Sequence, residues 1–155
     1  MTVDYKNPYL DSSVYIAAIN GEAHRADIVK QILAAADRSE IQIVASTFVA
    51  AEVIKMKGET VIRSFESEAK IDAILRSDKI RWVELDLSLA VDSRKIARDH
   101  SLKPPDANHL ASAIRGKADV LLRYDDRFTA DGKLVGLDVC EPYWYGAVPL
   151  FGDPS

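Results

Sequence analysis

One cysteine, Cys140, among 155 residues excludes an intramolecular disulfide and with it the small stapled folds of secreted domains. A lone thiol fits a reducing compartment. The opening MTVDYKNPYL lacks the basic-then-apolar pattern of a secretory signal, so a cytoplasmic location is expected. No apolar run approaches the ~20 residues needed to span a bilayer, so no membrane association is expected. Proline, glycine and serine are nowhere dense enough to form a linker, and there is no repeat or low-complexity tract. A single domain over residues 1–155 is therefore expected, with about 141–155 as a C-terminal surface segment. Phosphate-cradling glycine loops are missing too: there is no P-loop, no GxGxxG turn, no CxxC pair and no serine in a nucleophile elbow. Positive charge is not in excess. A formal net charge of −4 speaks against nucleic-acid binding by bulk electrostatics, while leaving room for a local basic patch.

What is present is an ordinary globular composition, 48% hydrophobic and 28% charged, in a chain long enough for a sizeable core. Its apolar segments alternate between two periods. Short runs bounded by polar residues read as strands around Tyr9–Leu10 and in IQIVA (41–45), IRWVEL (80–85) and DVLLR (119–123), with a short final strand near Leu137–Cys140. Longer segments of helical character fall at roughly 22–37, 46–57, 60–77, 87–100 and 105–116. Strands alternating with helices of ten or more residues imply crossover connections. The expected fold is α/β, with a mainly parallel central sheet covered by helices on both faces. The aromatic tail VCEPYWYGAVPLFGDPS has two readings: a segment lying over the surface, or a partner surface built on Tyr143, Trp144, Tyr145 and Phe151.

The stretch LKPPDANHLASAI poses the functional question. Ala107, Leu110, Ala111 and Ile114 form one apolar face of a helix, and Pro105 and Asp106 suit its first turn. Asp106 is thus a cap, or a charge placed for chemistry. In open α/β sheets ligands gather beyond the carboxyl ends of the strands, and other acids fall there. Asp11 ends the first strand in PYLDSSVYIAAI, and Asp125 and Asp126 follow DVLLR. In STFVAAEVIKMK, Val49, Val53 and Met56 make an apolar stripe with Glu52 among them, an expensive place for a carboxylate without compensation. Two carboxylates ~4 Å apart repel by about 4 kcal/mol at an effective dielectric of about 20. Three or four such groups need a cation among them. Oxygen-only ligation suits Mg²⁺ or Mn²⁺ rather than zinc, and a hard divalent ion held by carboxylates is apparatus for phosphate chemistry. On this reading Asp106 is both cap and metal ligand.

These motifs resemble the PIN domain, in particular the VapC-type toxins of bacterial and archaeal toxin–antitoxin pairs. The resemblance runs from YLDSSVYI through STFVAAEV and KPPDANHLASAI to ADVLLRYDDRF, and the DANHLASA stretch carries the most weight. Asp11 matches the family's first acid, Glu52 the glutamate of the second helix, and Asp106 the aspartate opening the later helix. Asp125 matches the acid after the fourth strand, with Phe128 at the family's distance. Asp126 competes with it for that role, and Arg123 stands where the family usually has Thr or Ser. The resemblance implies a three-layer α/β/α PIN-like domain and a metal-dependent endoribonuclease acting on RNA. It also implies silencing by a cognate antitoxin and a homodimer.

The mechanism expected has Asp11 and Asp106 holding the principal Mg²⁺ or Mn²⁺, and Glu52 and Asp125 completing the pocket through water or around a second ion. An activated water then attacks the scissile phosphorus in line. Lys55, Lys57, Lys103, Arg115, Arg123 and Arg127 are candidates to track an RNA backbone, each also readable as a solvated surface charge. Ser12 and Ser13 either offer hydroxyls to the site or simply begin a helix. His24, His100 and His109 read as structural or surface groups. A phosphatase with an aspartyl nucleophile would need an acid two residues after Asp11, where Ser13 stands. The remaining alternative is a non-catalytic module that binds RNA or an antitoxin through the same acidic pocket.

Overall fold

The computed structural model describes residues 4–53, 65–124 and 132–144. Four strands pair in parallel at its centre: β1 (Pro8–Leu10), β2 (Ile43–Ser46), β3 (Ile80–Val83) and β4 (Val120–Leu122). Beside β4 lie β5 (Gly132–Leu134) and β6 (Leu137–Cys140). The sheet order is β3-β2-β1-β4-β6-β5, with β6 parallel to β4 and β5 antiparallel to β6. The expected mainly parallel sheet is therefore present, with one hairpin at its edge.

Alternation along each strand builds the three layers. Leu10, Ile43, Ala45, Val120 and Leu122 face one side, against α1 (Ser12–Asn20), α2 (Ala23–Asp37) and α4 (Phe65–Leu75). Tyr9, Val44, Val83 and Leu121 face the other, against α5 (Leu87–His100) and α6 (Pro104–Arg115). With both faces covered, the central strands read as unbroken apolar runs. Gly116, just past α6, sits so close to this second face that a Cβ there would lie 2.5 Å from Val44 Cγ1 and 2.9 Å from Val83 Cγ2. The turn needs the missing side chain.

Three expectations are settled or revised. Ser12 and Ser13 do begin a helix, α1, directly after β1; SSVYIAAIN buries Ser12, Val14, Tyr15, Ala17 and Ile19, so it shows no clean polar stripe. The helix expected at 46–57 is α3 (Thr47–Glu52), with Val53 as its C-terminal cap; Lys55, Met56 and Lys57 lie outside the described residues. The tail does not expose Tyr143 and Trp144, which pack against the first core cluster. Tyr143 meets Tyr5 edge-on at 5.2 Å, donates to Asp4 Oδ1 at 2.6 Å, and its carbonyl accepts from the Tyr5 hydroxyl at 2.7 Å. Tyr145 and Phe151 lie outside the described residues.

Candidate active site

The sheet order reverses around β1, whose successors run to β2 on one side and to β4 on the other. The crevice beyond the carboxyl ends of β1 and β4 is thus the place where an α/β fold collects its ligands. Asp11 stands there. It is the N-cap of α1, accepting from the Ser13 amide at 3.0 Å, while its own amide donates to the Leu122 carbonyl at 3.1 Å. Ser13 closes the junction: its hydroxyl donates to Asp11 Oδ1 and accepts from the Tyr124 amide at 2.9 Å. The ends of β1 and β4 are therefore tied together through one serine.

Glu52 arrives from the next strand. Ser46 ends β2 and caps α3, its hydroxyl accepting from the Phe48 amide at 3.0 Å, and the short helix carries Glu52 on its last residue. That is the negative end of the helix dipole, an unfavourable place for a carboxylate. Two donors compensate, and both use Oε1: the Ser12 hydroxyl, and His109 Nε2 at 2.6 Å. Asp106 comes from the opposite layer, in the first turn of α6 behind Pro104 and Pro105. It is not the cap, as the sequence suggested. Lys103 occupies that position without a side-chain hydrogen bond, because its ammonium has no acceptor to offer a backbone amide. Asp106 keeps the favourable dipole end all the same.

Asp11, Glu52 and Asp106 line one cavity of about 310 Å³, with Ser12, Ser13, Ile16, Lys103, Pro105 and His109. Three of the four acids expected at one rim are brought together. Asp125, and its competitor Asp126, lie outside the described residues. Arg115 turns to Asp86, Ser88 and Asp92, away from this cavity, and Arg123 is buried at 2% exposure. Of the described basic candidates, Lys103 alone lines the cavity.

The electrostatics set Asp11 and Glu52 apart. Burial pushes the Asp11 carboxyl up to about 6, with the charge of Glu52 adding to it, although His109 and the Ser13 hydrogen bonds pull the other way. For Glu52 burial also raises the pKa. The His109 and Ser12 hydrogen bonds outweigh it and hold that carboxyl below its ordinary value. One acid resists ionisation and the other is held ionised beside it.

That arrangement fits a hard cation in kind. The donors are carboxylate oxygens, and the buried Asp11 carboxylate is a charge that its surroundings leave undercompensated. Among the described residues, no group of three or more His, Cys, Asp or Glu side chains is already gathered as a ligand cage. Asp11 and Asp106 are the residues that would hold an ion, with Glu52 at its flank.

Sequence reasoning did not single out Tyr9, and it reads His109 as a structural or surface group with no link to the acids. Fully buried Tyr9 meets His109 Nδ1 at 2.7 Å through its hydroxyl, and burial drives the phenol pKa well up. The signal was available for His109, which lies three residues after Asp106 and so shares its helix face.

Comparisons with known proteins agree with this architecture. No curated protein matches the sequence. The solved structure of VapC20 from Mycobacterium tuberculosis, described as a toxin that cleaves the sarcin–ricin loop, superposes with a TM-score of 0.63 at 17% identity, covering 84% of this chain and 98% of that one. VapBC2 from Rickettsia felis, solved with a promoter DNA fragment, gives 0.60 at 19% identity over 89% of this chain and 98% of its own. A toxin–antitoxin complex from Klebsiella pneumoniae gives 0.60 at 19%, over 88% and 98%. The PIN domain family model matches residues 9–133, a span from Tyr9 in β1 to Lys133 in β5 that includes every acid considered above. On that match, this chain belongs to the PIN domain family.

Proposed function

We propose that this protein is an Mg²⁺- or Mn²⁺-dependent endoribonuclease that hydrolyses RNA phosphodiester bonds, and that it is the toxin of a toxin–antitoxin pair. The observation that carries the reading is the shared cavity: Asp11 after β1, Glu52 at the end of α3 and Asp106 in the first turn of α6 line one space, though they are distant in sequence. Family membership supports nuclease chemistry, and the fold neighbours support the toxin role because each is a toxin or a toxin–antitoxin complex. An antitoxin partner, a homodimer and a cytoplasmic location belong to the same proposal.

Asp11 and Asp106 would hold the ion, with Glu52 and Asp125 completing the acidic pocket. Bound there, the ion supplies polarisation of the phosphoryl oxygens and a water of lowered pKa. The chain itself supplies the rest. Ser13 fixes the Asp11 carboxylate by two hydrogen bonds from one residue. Glu52 stays ionised at neutral pH, so the pocket repels an incoming phosphate unless a cation is present. Lys103 and the positive end of α6 stand at the cavity, where a flanking phosphate of the RNA backbone would meet them. The phosphatase alternative finds no support, since Ser13 is committed to Asp11 and Tyr124 rather than replaced by a second acid.

The test is cleavage of a mixed RNA pool with and without Mg²⁺ or Mn²⁺, by the parent and by Asp11→Asn and Asp106→Ala variants. Metal-dependent cleavage that both variants lose is expected. Equal cleavage by parent and variants would overturn the reading, and ion binding without any cleavage would make the protein a non-catalytic binding module.

A further inference from the structure

We propose that His109 is a positioning residue for Glu52, itself locked by Tyr9, so that His109 and Ser12 together take Oε1 of the carboxylate and leave Oε2 to the cavity. This rests on the metal-dependent reading above and adds to it two residues that act through Glu52.

The geometry leaves the imidazole little freedom. His109 is 4% exposed, and both ring nitrogens are engaged: Nδ1 with the Tyr9 hydroxyl at 2.7 Å, Nε2 with Glu52 Oε1 at 2.6 Å. Tyr9 meets the ring at a 63° interplanar angle with centroids 5.8 Å apart, and Phe48 at 51° and 5.7 Å. Rotation about the ring axis is therefore opposed by two hydrogen bonds and two aromatic neighbours. Because ionised Glu52 can only accept, Nε2 carries a proton whether the ring is neutral or charged.

Glu52 needs such a holder. It sits at the last residue of a six-residue helix, facing the negative dipole end and the buried acid Asp11. Left alone, its side chain would turn towards water. With Oε1 taken from two sides, the carboxylate plane is fixed, and the oxygen that neither Ser12 nor His109 uses is Oε2. α6 carries Asp106 and His109 three residues apart, so one helix delivers an acid to the cavity and the group that orients another. Partners that hold a ligating carboxylate typically change metal affinity by about 10–100-fold when removed.

The experiment measures Mn²⁺ binding by calorimetry in the absence of RNA, beside thermal melting, for the parent and for Tyr9→Phe, His109→Leu, His109→Gln and Asp11→Asn. His109→Leu fills the volume without a donor, and His109→Gln restores a donor near Nε2. The expected result is a 10–100-fold weaker Kd for His109→Leu, a smaller loss for Tyr9→Phe, and recovery of most of the affinity by His109→Gln. Side-chain ¹⁵N correlations of the metal-free parent are expected to show Nε2 of His109 protonated, and this readout does not depend on whether the leucine variant folds. If Tyr9→Phe and the folded position-109 variants bind Mn²⁺ within twofold of the parent while their melting points fall, His109 is only packing and the proposal is overturned. If the parent binds no Mn²⁺, or Asp11→Asn binds as well as the parent, the metal reading fails first and takes this proposal with it.

Discussion

Asp11→Asn should make the metal-free protein more stable at neutral pH. Asparagine keeps the cap, since its side-chain oxygen accepts the same Ser13 amide, while the buried charge disappears. The Asp11 carboxyl is raised from its ordinary 3.8 to about 6, so the native state binds this proton more tightly than the unfolded chain. Its contribution to stability is fully present below pH about 4 and is lost as pH rises through about 6. At pH 7.5 the ionised group costs up to about 3 kcal/mol, from about 1.4 kcal/mol for each pH unit. For a chain of this length that is about 6–12 °C in melting temperature. Thermal melts of parent and variant between pH 4 and 8 check it: the gap should be widest at the alkaline end and close on acidification. Adding Mn²⁺ at a hundredfold over its Kd should raise the parent by about 2.7 kcal/mol and leave the variant in place. A variant no more stable than the parent at pH 7.5, or a gap that does not change with pH, would refute the claim that Asp11 is an undercompensated charge.

Lys103→Ala should weaken RNA binding without removing the metal site: KM rises, kcat is kept, and the slope of log affinity against log salt falls by about one, measured by titrations across a salt series. Gly116→Ala should destabilise by about 1–3 kcal/mol in a denaturant melt, because the new methyl meets Val44 and Val83 in the packed layer, while Mn²⁺ affinity in the folded fraction stays unchanged.

The sheet was legible because its strands are buried on both faces, and runs such as IVAS and VLL have no other economical place in a domain of this size. α5 and α6 were legible because each keeps a polar face, and their apolar residues recur at helical spacing. α1 was legible only at its start, Ser12–Ser13, since a helix buried nearly all round has no stripe to read. β5 was not legible: Gly132 and Lys133 are exposed, Leu134 is half-buried, and the strand is completed by pairing with β6. The acids Asp11, Glu52 and Asp106 could be picked out by position relative to strand ends, yet the local reason for each differed. The apolar pattern puts Glu52 on a longer helix, whereas it terminates a short one; the helical spacing makes Asp106 a cap, whereas it lies inside the first turn. The links from His109 to Tyr9 and to Glu52 were not legible because they are supplied by tertiary packing, 100 positions apart in one case and 57 in the other.

The cavity takes its acids from the first strand exit, the second and the last long helix, so it is a property of the finished domain. A chain that has been made only as far as β3 carries Asp11 and Glu52 but lacks Asp106, His109 and the β4 backbone to which Ser13 is tied. No product of its synthesis that stops short of β4 can assemble the site. On the proposed function, RNA cleavage therefore waits until α6 and β4 have been added and folded into place.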